Sequence, residues 1–115
     1  MTLREKQSLF VRTVAAMVQH FTALGYEFTF GEAYRSKEEA ERLANADKGI
    51  KNSLHTVRLA IDLMLFKDGK YLTKTEDYRP LGEWWESNSK DGIQFAWGGR
   101  FNDGNHFSIA HQGKK

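Results

Sequence analysis

The sequence predicts an α+β fold, in which a small antiparallel sheet has helices packed on it. Three observations lead to this prediction. A helical stripe of apolar residues opens the chain, a long β-like run lies near its middle, and short β-like segments follow towards its end. A hairpin and several short strands favour antiparallel pairing, and helices with one apolar face pack against such a sheet.

The first 25 residues predict an amphipathic helix. Thr2 followed by Glu5 has the form of a capping box, and Gly25 fits the helix stop. Between them, apolar residues recur at spacings of three and four, which places them on one helix face against a core. These residues are Phe10, Val14, Met17, Val18, Phe21 and Leu24.

The next segment predicts a strand and a short helix. Residues 26–35 alternate between aromatic and polar side chains, as a strand does. Ser36 and Glu39 form a second capping box, which opens a helix that we expect to end near Ala46. Residues 48–52 are polar and predict a loop.

The second half of the chain predicts a hairpin, a helix and two further strands. Leu59 to Phe66 is a β run, and the turn at residues 67–70 leads back into Tyr71 and Leu72. Pro80 suits the first turn of a helix over residues 77–87. The remaining strands are predicted at residues 94–97 and 106–110.

Composition limits the classes of function. The length of 115 residues predicts one domain spanning residues 1–115, and a hydrophobic content of 40% is enough to build its core. We expect a monomer. A net charge of +2 is too balanced to indicate nucleic-acid binding. No apolar run reaches the roughly 20 residues of a membrane span, and no signal peptide is recognisable, so we expect no stable membrane insertion and synthesis in the cytoplasm. Without cysteine, any zinc site must use His and carboxylates.

His55 and Asp62 are candidate metal ligands. They lie seven residues apart, which in a straight strand means about 23 Å and opposite faces. Sharing one metal therefore requires a bend between Thr56 and Leu59. Asp62 interrupts an apolar run, where a lone carboxylate is costly to bury unless a cation pairs with it. An Asp at the sheet edge, or one paired with Arg, explains the same pattern, and spacing alone leaves these alternatives open.

Asp103 and His106 form a second candidate cluster. They are three residues apart, and Gly104-Asn105 between them is a turn signal. A tight turn would place His106 on a metal and Asp103 one water molecule away, although taken alone such a pattern more often marks an ordinary turn. We expect the preceding Gly98-Gly99 pair to let the backbone approach a bound substrate closely.

Taken together, these segments read S-x-H-x6-D from Ser53, W-G-G-x-F from Trp97 and D-x-x-H-F from Asp103. This combination resembles the zinc peptidases of bacterial cell-wall peptides. They include D-Ala-D-Ala carboxypeptidases, vancomycin-resistance dipeptidases and the L-alanyl-D-glutamate endopeptidases of phage endolysins. The resemblance runs from about Gly31 to Phe107, and the compact length looks most like the endolysin branch. It implies a Hedgehog/DD-peptidase-like fold.

The resemblance also implies roles for individual residues. His55, Asp62 and His106 match the ligands of one Zn²⁺ per chain, and Asp103 matches the general base that later acts as acid. Arg35 matches an arginine that holds substrate or the developing oxyanion. The substrate-binding candidates are completed by Ser53, which matches the motif's serine, and by Trp97, for which core packing is the stronger alternative, as it is for Phe107.

One position departs from the family pattern, which usually has Gly where this chain has Arg58. Gly would ease the bend between His55 and Asp62. We therefore expect the bend to adopt a conformation that is open to a side chain.

The function that the resemblance implies is a zinc-dependent peptidoglycan peptidase acting on stem peptides. We expect an L-alanyl-D-glutamate endopeptidase that serves phage lysis and reaches the cell wall or periplasm after release from the host cytoplasm. The alternatives are a D-Ala-D-Ala carboxypeptidase or dipeptidase, and a non-catalytic cell-wall-binding module of the same fold.

Overall fold

The computed structural model describes residues 1–46 and 53–115. The described residues form three α-helices and a five-stranded antiparallel sheet, so the predicted α+β class is confirmed. The loop predicted at residues 48–52 lies outside the described residues. The helices are α1 (Leu3–Ala23), α2 (Lys37–Asn45) and α3 (Arg79–Glu86), and the strands are β1 (Tyr26–Phe30), β2 (Ala60–Lys67), β3 (Lys70–Leu72), β4 (Phe95–Trp97) and β5 (His106–Ile109).

Strand β2 is the centre of the sheet. The strand order is β1-β2-β5-β4, and β3 pairs with the second half of β2 as the predicted hairpin. Side chains alternate along β2, so Ile61, Leu63 and Leu65 are buried in the core. Asp62 and Met64 face the other way and are only partly buried. The sheet therefore presents Asp62 on the face opposite the main core.

Helix α1 covers the core face of the sheet. Its capping box is formed as predicted, because Thr2 Oγ1 accepts from the Glu5 amide and Glu5 Oε1 accepts from the Thr2 amide. Leu24, by contrast, ends the helix and is 56% exposed, so it does not join the buried stripe. The stripe residues that are buried are Phe10, Val14, Met17 and Phe21. In the described parts of the chain, no helix has the length and apolar character needed to cross a membrane.

Strand β1 is shorter than predicted. The alternating pattern continues to Arg35, but the strand ends at Phe30. From Gly31 onwards the backbone still bonds to the strand beside it, since the Gly31 amide donates to Asp62 O over 2.8 Å and the Asp62 amide donates to Glu32 O over 2.9 Å. The chain then turns along the site, where the Arg35 amide donates to His55 O over 3.2 Å.

Candidate metal centre

The predicted bend between His55 and Asp62 is present and consists of one short 3-10 helix, Leu54–Val57. Ser53 caps it, and its Oγ accepts from the His55 amide over 3.2 Å. Arg58 ends it in the left-handed conformation, with φ 57° and ψ 37°. This region is sparsely populated by residues with a side chain and is easy for Gly. The bend is thus open to Arg58, but at a backbone position that favours Gly.

The Arg58 side chain contacts Tyr34. Its guanidinium carbon lies 4.0 Å from the centre of the Tyr34 ring, within the range of a cation–π contact. This contact stabilises the Arg side chain at the bend and gives it a partner outside the candidate site.

His106 and Asp62 are direct partners on β5 and β2. Paired residues of an antiparallel ladder point to the same face, so their side chains meet, and His106 Nδ1 lies 3.3 Å from Asp62 Oδ1. The bend brings His55 to the same carboxylate, with Nε2 3.5 Å from Asp62 Oδ1. One ligand atom from each of the three residues lies within 4.8 Å of the other two. Donors at about 2 Å from one tetrahedral ion lie about 3.4 Å apart, and the two distances from the histidines to Asp62 match this separation.

The chemistry of the three side chains fits zinc. Burial acts to raise the pKa of Asp62, but hydrogen bonds and charge from His106 and His55 outweigh it and lower the pKa to about 2. Asp62 is therefore ionised at neutral pH and provides the negative charge that a cation needs. Both imidazoles are buried, with 3% exposure for His55 and 6% for His106. Two imidazoles and one carboxylate are a donor set typical of a catalytic zinc site, in which a fourth position is left open.

Asp103 lies beside the ligands rather than among them. The His106 amide donates to Asp103 O over 3.1 Å, which closes the predicted turn. Asp103 Oδ2 is 3.9 Å from His106 Nδ1, and its side chain is 52% exposed. Burial raises the pKa of Asp103, although the neighbouring His106 acts to lower it. A half-buried carboxylate next to the candidate ligands, with a raised pKa, is suited to proton transfer.

The Gly98-Gly99 pair makes close contacts within the protein. A Cβ on Gly98 would lie 2.1 Å from Asp103 O and 2.7 Å from His106 Cβ. A Cβ on Gly99 would lie 2.1 Å from the Trp97 ring. We expected the glycine pair to let the backbone approach a substrate, but Gly98 instead lies against the protein's own Asp103–His106 turn. This close packing fixes the position of the turn.

Trp97, predicted to contact substrate, lies in the core instead. Its side chain is 1% exposed because it packs beneath the Asp103–His106 turn, where its Nε1 donates to Gly104 O over 2.7 Å. Phe107 is also fully buried. The core-packing alternative therefore describes both residues, and Trp97 supports the turn from below.

Arg35 lies next to the candidate site but is already paired. Its side chain is 14% exposed, and its guanidinium forms a salt bridge with Glu32. The Glu32 carboxylate in turn lies 3.8 Å from His55 Nδ1. Glu32 is not among the residues predicted from the sequence, and the one feature that points to it there is its position three residues before Arg35.

Comparison with known proteins identifies a similar fold. The crystal structure of Serratia marcescens L-Ala D-Glu endopeptidase ChiX matches with a TM-score of 0.54 and 22% sequence identity. The match covers 72% of this chain and 66% of that chain, so it spans just under two thirds of the length of ChiX. No model of a protein family matches the sequence, and no curated protein matches it either. The chain therefore has a peptidase-like α+β fold that carries a candidate metal centre.

Proposed function

We propose that this protein is a zinc-dependent peptidase that cuts the stem peptides of peptidoglycan. The observation that carries the proposal is the convergence of His55, Asp62 and His106 on one point, with Asp103 beside them. The fold it shares with an L-Ala D-Glu endopeptidase supports the choice of substrate. The motif resemblance supports the finer assignment to a phage endolysin that acts on the cell wall after release from the host cytoplasm.

The residues divide the chemistry between them. Zinc held by the three ligands would supply a Lewis acid for the scissile carbonyl and would lower the pKa of water towards about 7. Asp103 would accept the proton of the attacking water and return it to the leaving amine. Because about half of the Asp103 side chain is exposed, both the water and the leaving amine can reach its carboxylate. Arg35 would bind a substrate carboxylate or the tetrahedral oxyanion, for which a fixed guanidinium is well suited.

Ser53 contributes to this scheme through the backbone. By accepting from the His55 amide it starts the short helix on which that ligand is placed. Contact of the Ser53 hydroxyl with a bound peptide is also part of the proposal.

The bond that is cut is tested by digestion of purified peptidoglycan followed by mass spectrometry. We expect new N-terminal D-Glu, which identifies cleavage of the L-Ala–D-Glu bond. Release of free D-Ala would instead identify a D-Ala-D-Ala carboxypeptidase or dipeptidase. Zinc-loaded protein that sediments with peptidoglycan but releases no product would identify a non-catalytic binding module. A wild-type protein that binds no zinc, and whose activity survives chelators, would refute the proposal.

A further inference from the structure

We propose that Glu32 is a positioning residue for His55, which holds the imidazole by its Nδ1–H group so that Nε2 faces the metal. This inference rests on the proposed zinc site and adds a residue to it. Glu32 is not a ligand in this scheme, because its carboxylate lies on the far side of the His55 ring from Asp62.

The two nitrogens of His55 have different neighbours. Nε2 lies 3.5 Å from Asp62 Oδ1 and belongs to the ligand cluster. Nδ1 is buried and has no hydrogen-bond partner among the residues that the structure describes. Glu32 Oε1 lies 3.8 Å from it, about 0.6 Å beyond the usual upper limit for an N–H···O hydrogen bond. A histidine that binds a metal through one nitrogen almost always donates from the other, most often to a carboxylate or a carbonyl, which fixes the tautomer and the ring orientation.

The backbone of Glu32 is fixed to the strand that carries another ligand. Its carbonyl accepts from the Asp62 amide over 2.9 Å, and the preceding Gly31 amide donates to Asp62 O over 2.8 Å. A Cβ on Gly31 would lie 3.0 Å from Asp62 Cβ, so this close approach requires glycine. The distance between Glu32 and the ligand cluster is therefore set by the main chain.

Arg35 fixes the carboxylate itself. Its guanidinium forms a salt bridge with Glu32 Oε1, and its amide donates to His55 O over 3.2 Å. The Glu32 side chain is 32% exposed, so the salt bridge with Arg35 is what keeps its carboxylate from turning out into solvent. Glu32 and Arg35 thus lie on two sides of His55. Glu32 approaches the imidazole ring, and the Arg35 amide bonds to the backbone carbonyl of His55.

The alternative is that Glu32 serves only as an ion-pair partner of Arg35. Helix α2 provides a matched control, because Glu39 and Arg42 form a salt bridge with the same spacing of three residues. That pair is more exposed, and among the described residues no contact joins it to the three candidate ligands. The substitution Glu39→Gln therefore breaks an ion pair of the same spacing without removing a neighbour of His55.

The experiment measures the Kd for zinc by competition with a chelator in wild type, Glu32→Ala, Glu32→Gln and Glu39→Gln. We expect Glu32→Ala to raise the Kd 10- to 100-fold, the range typical of lost outer-shell partners. Glu32→Gln should raise it by a smaller factor, because the amide oxygen still accepts from Nδ1. Glu39→Gln should leave it unchanged. A wild-type Kd in Glu32→Ala, or an equal loss in Glu39→Gln, would overturn the inference.

A spectroscopic measurement separates positioning from general stability. In ¹⁵N-labelled zinc-loaded protein, we expect the His55 Nδ1 proton to be protected from exchange in wild type and in Glu32→Gln, and to exchange fast in Glu32→Ala. Equal exchange in all three would contradict the inference. If the wild type binds zinc and cuts peptidoglycan while Glu32→Ala is unchanged, only the role of Glu32 fails. If the wild type binds no zinc, both proposals fail.

Discussion

Asp62 and His106 face each other across neighbouring antiparallel strands, although 44 positions separate them in the sequence. Their relative placement is fixed by the register of β2 and β5, so these two candidate ligand positions are preformed by the sheet. His55 is placed differently, by a short helix and the bend at Arg58. The geometry of the third candidate ligand therefore depends on a local turn and its surroundings.

Removal of the metal should lower stability only when the ligand set is complete. At a free zinc concentration about 1,000 times the Kd, binding adds about 4 kcal/mol to the free energy of unfolding. We expect a chelator to lower the Tm of wild type and to leave the Tm of His106→Ala unchanged, since that variant lacks a ligand. Thermal unfolding by circular dichroism, with and without chelator, measures this. The same chelator-induced shift in both proteins would exclude His106 as a ligand.

Asp103→Asn should separate catalysis from metal binding. The substitution keeps the size of the side chain but removes the group that accepts and returns the proton. We expect zinc to remain at one ion per chain and turnover on peptidoglycan to fall by about 10²- to 10⁴-fold. Asp91→Asn, which changes another exposed carboxylate, is the control and should have wild-type turnover. If Asp103→Asn turns over as fast as the control, Asp103 is not the proton shuttle.

Gly98→Ala should disturb the centre without replacing any of its ligands. The added Cβ would overlap Asp103 O and His106 Cβ, and the carbonyl cannot move away by a side-chain rotation. We expect a loss of about 1–3 kcal/mol in the free energy of unfolding together with weaker zinc binding. Gly92→Ala is the control, because its φ of 78° strains a side chain but no atom lies within 4 Å of the added Cβ. It should lose stability only. Wild-type zinc affinity in Gly98→Ala would show that the loop adjusts freely.

Local signals in the sequence were sufficient for much of the fold. The capping box at Thr2 and the apolar stripe predict α1, and the apolar run and turn predict the hairpin of β2 and β3, because each pattern reports on neighbours along the chain. The end of β1 could not be predicted in this way. Alternation continues past Phe30, but whether an extended segment stays in a ladder depends on partners distant in sequence.

In the candidate site, too, some features could be predicted from the sequence and others depend on contacts between residues distant along the chain. The resemblance to the zinc peptidases implied which residues come together, and the need for a bend followed from the spacing between His55 and Asp62. For Trp97, core packing was already the stronger alternative to a cleft wall, and its 1% exposure confirms that alternative. Glu32 was missed because its approach to His55 arises from the backbone pairing next to Asp62, which no local pattern records.

Arg58→Gly and Arg58→Ala test the strain at the bend. In most positions Ala is more stabilising than Gly, since Gly loses more backbone entropy on folding. At a left-handed position the order should reverse, because a Cβ costs about 1–2 kcal/mol there. Both variants lose the contact with Tyr34, so their difference isolates the backbone. We expect Arg58→Gly to be more stable than Arg58→Ala by about 1 kcal/mol in urea unfolding, with unchanged zinc affinity. The opposite order would mean that the bend adopts another conformation in solution.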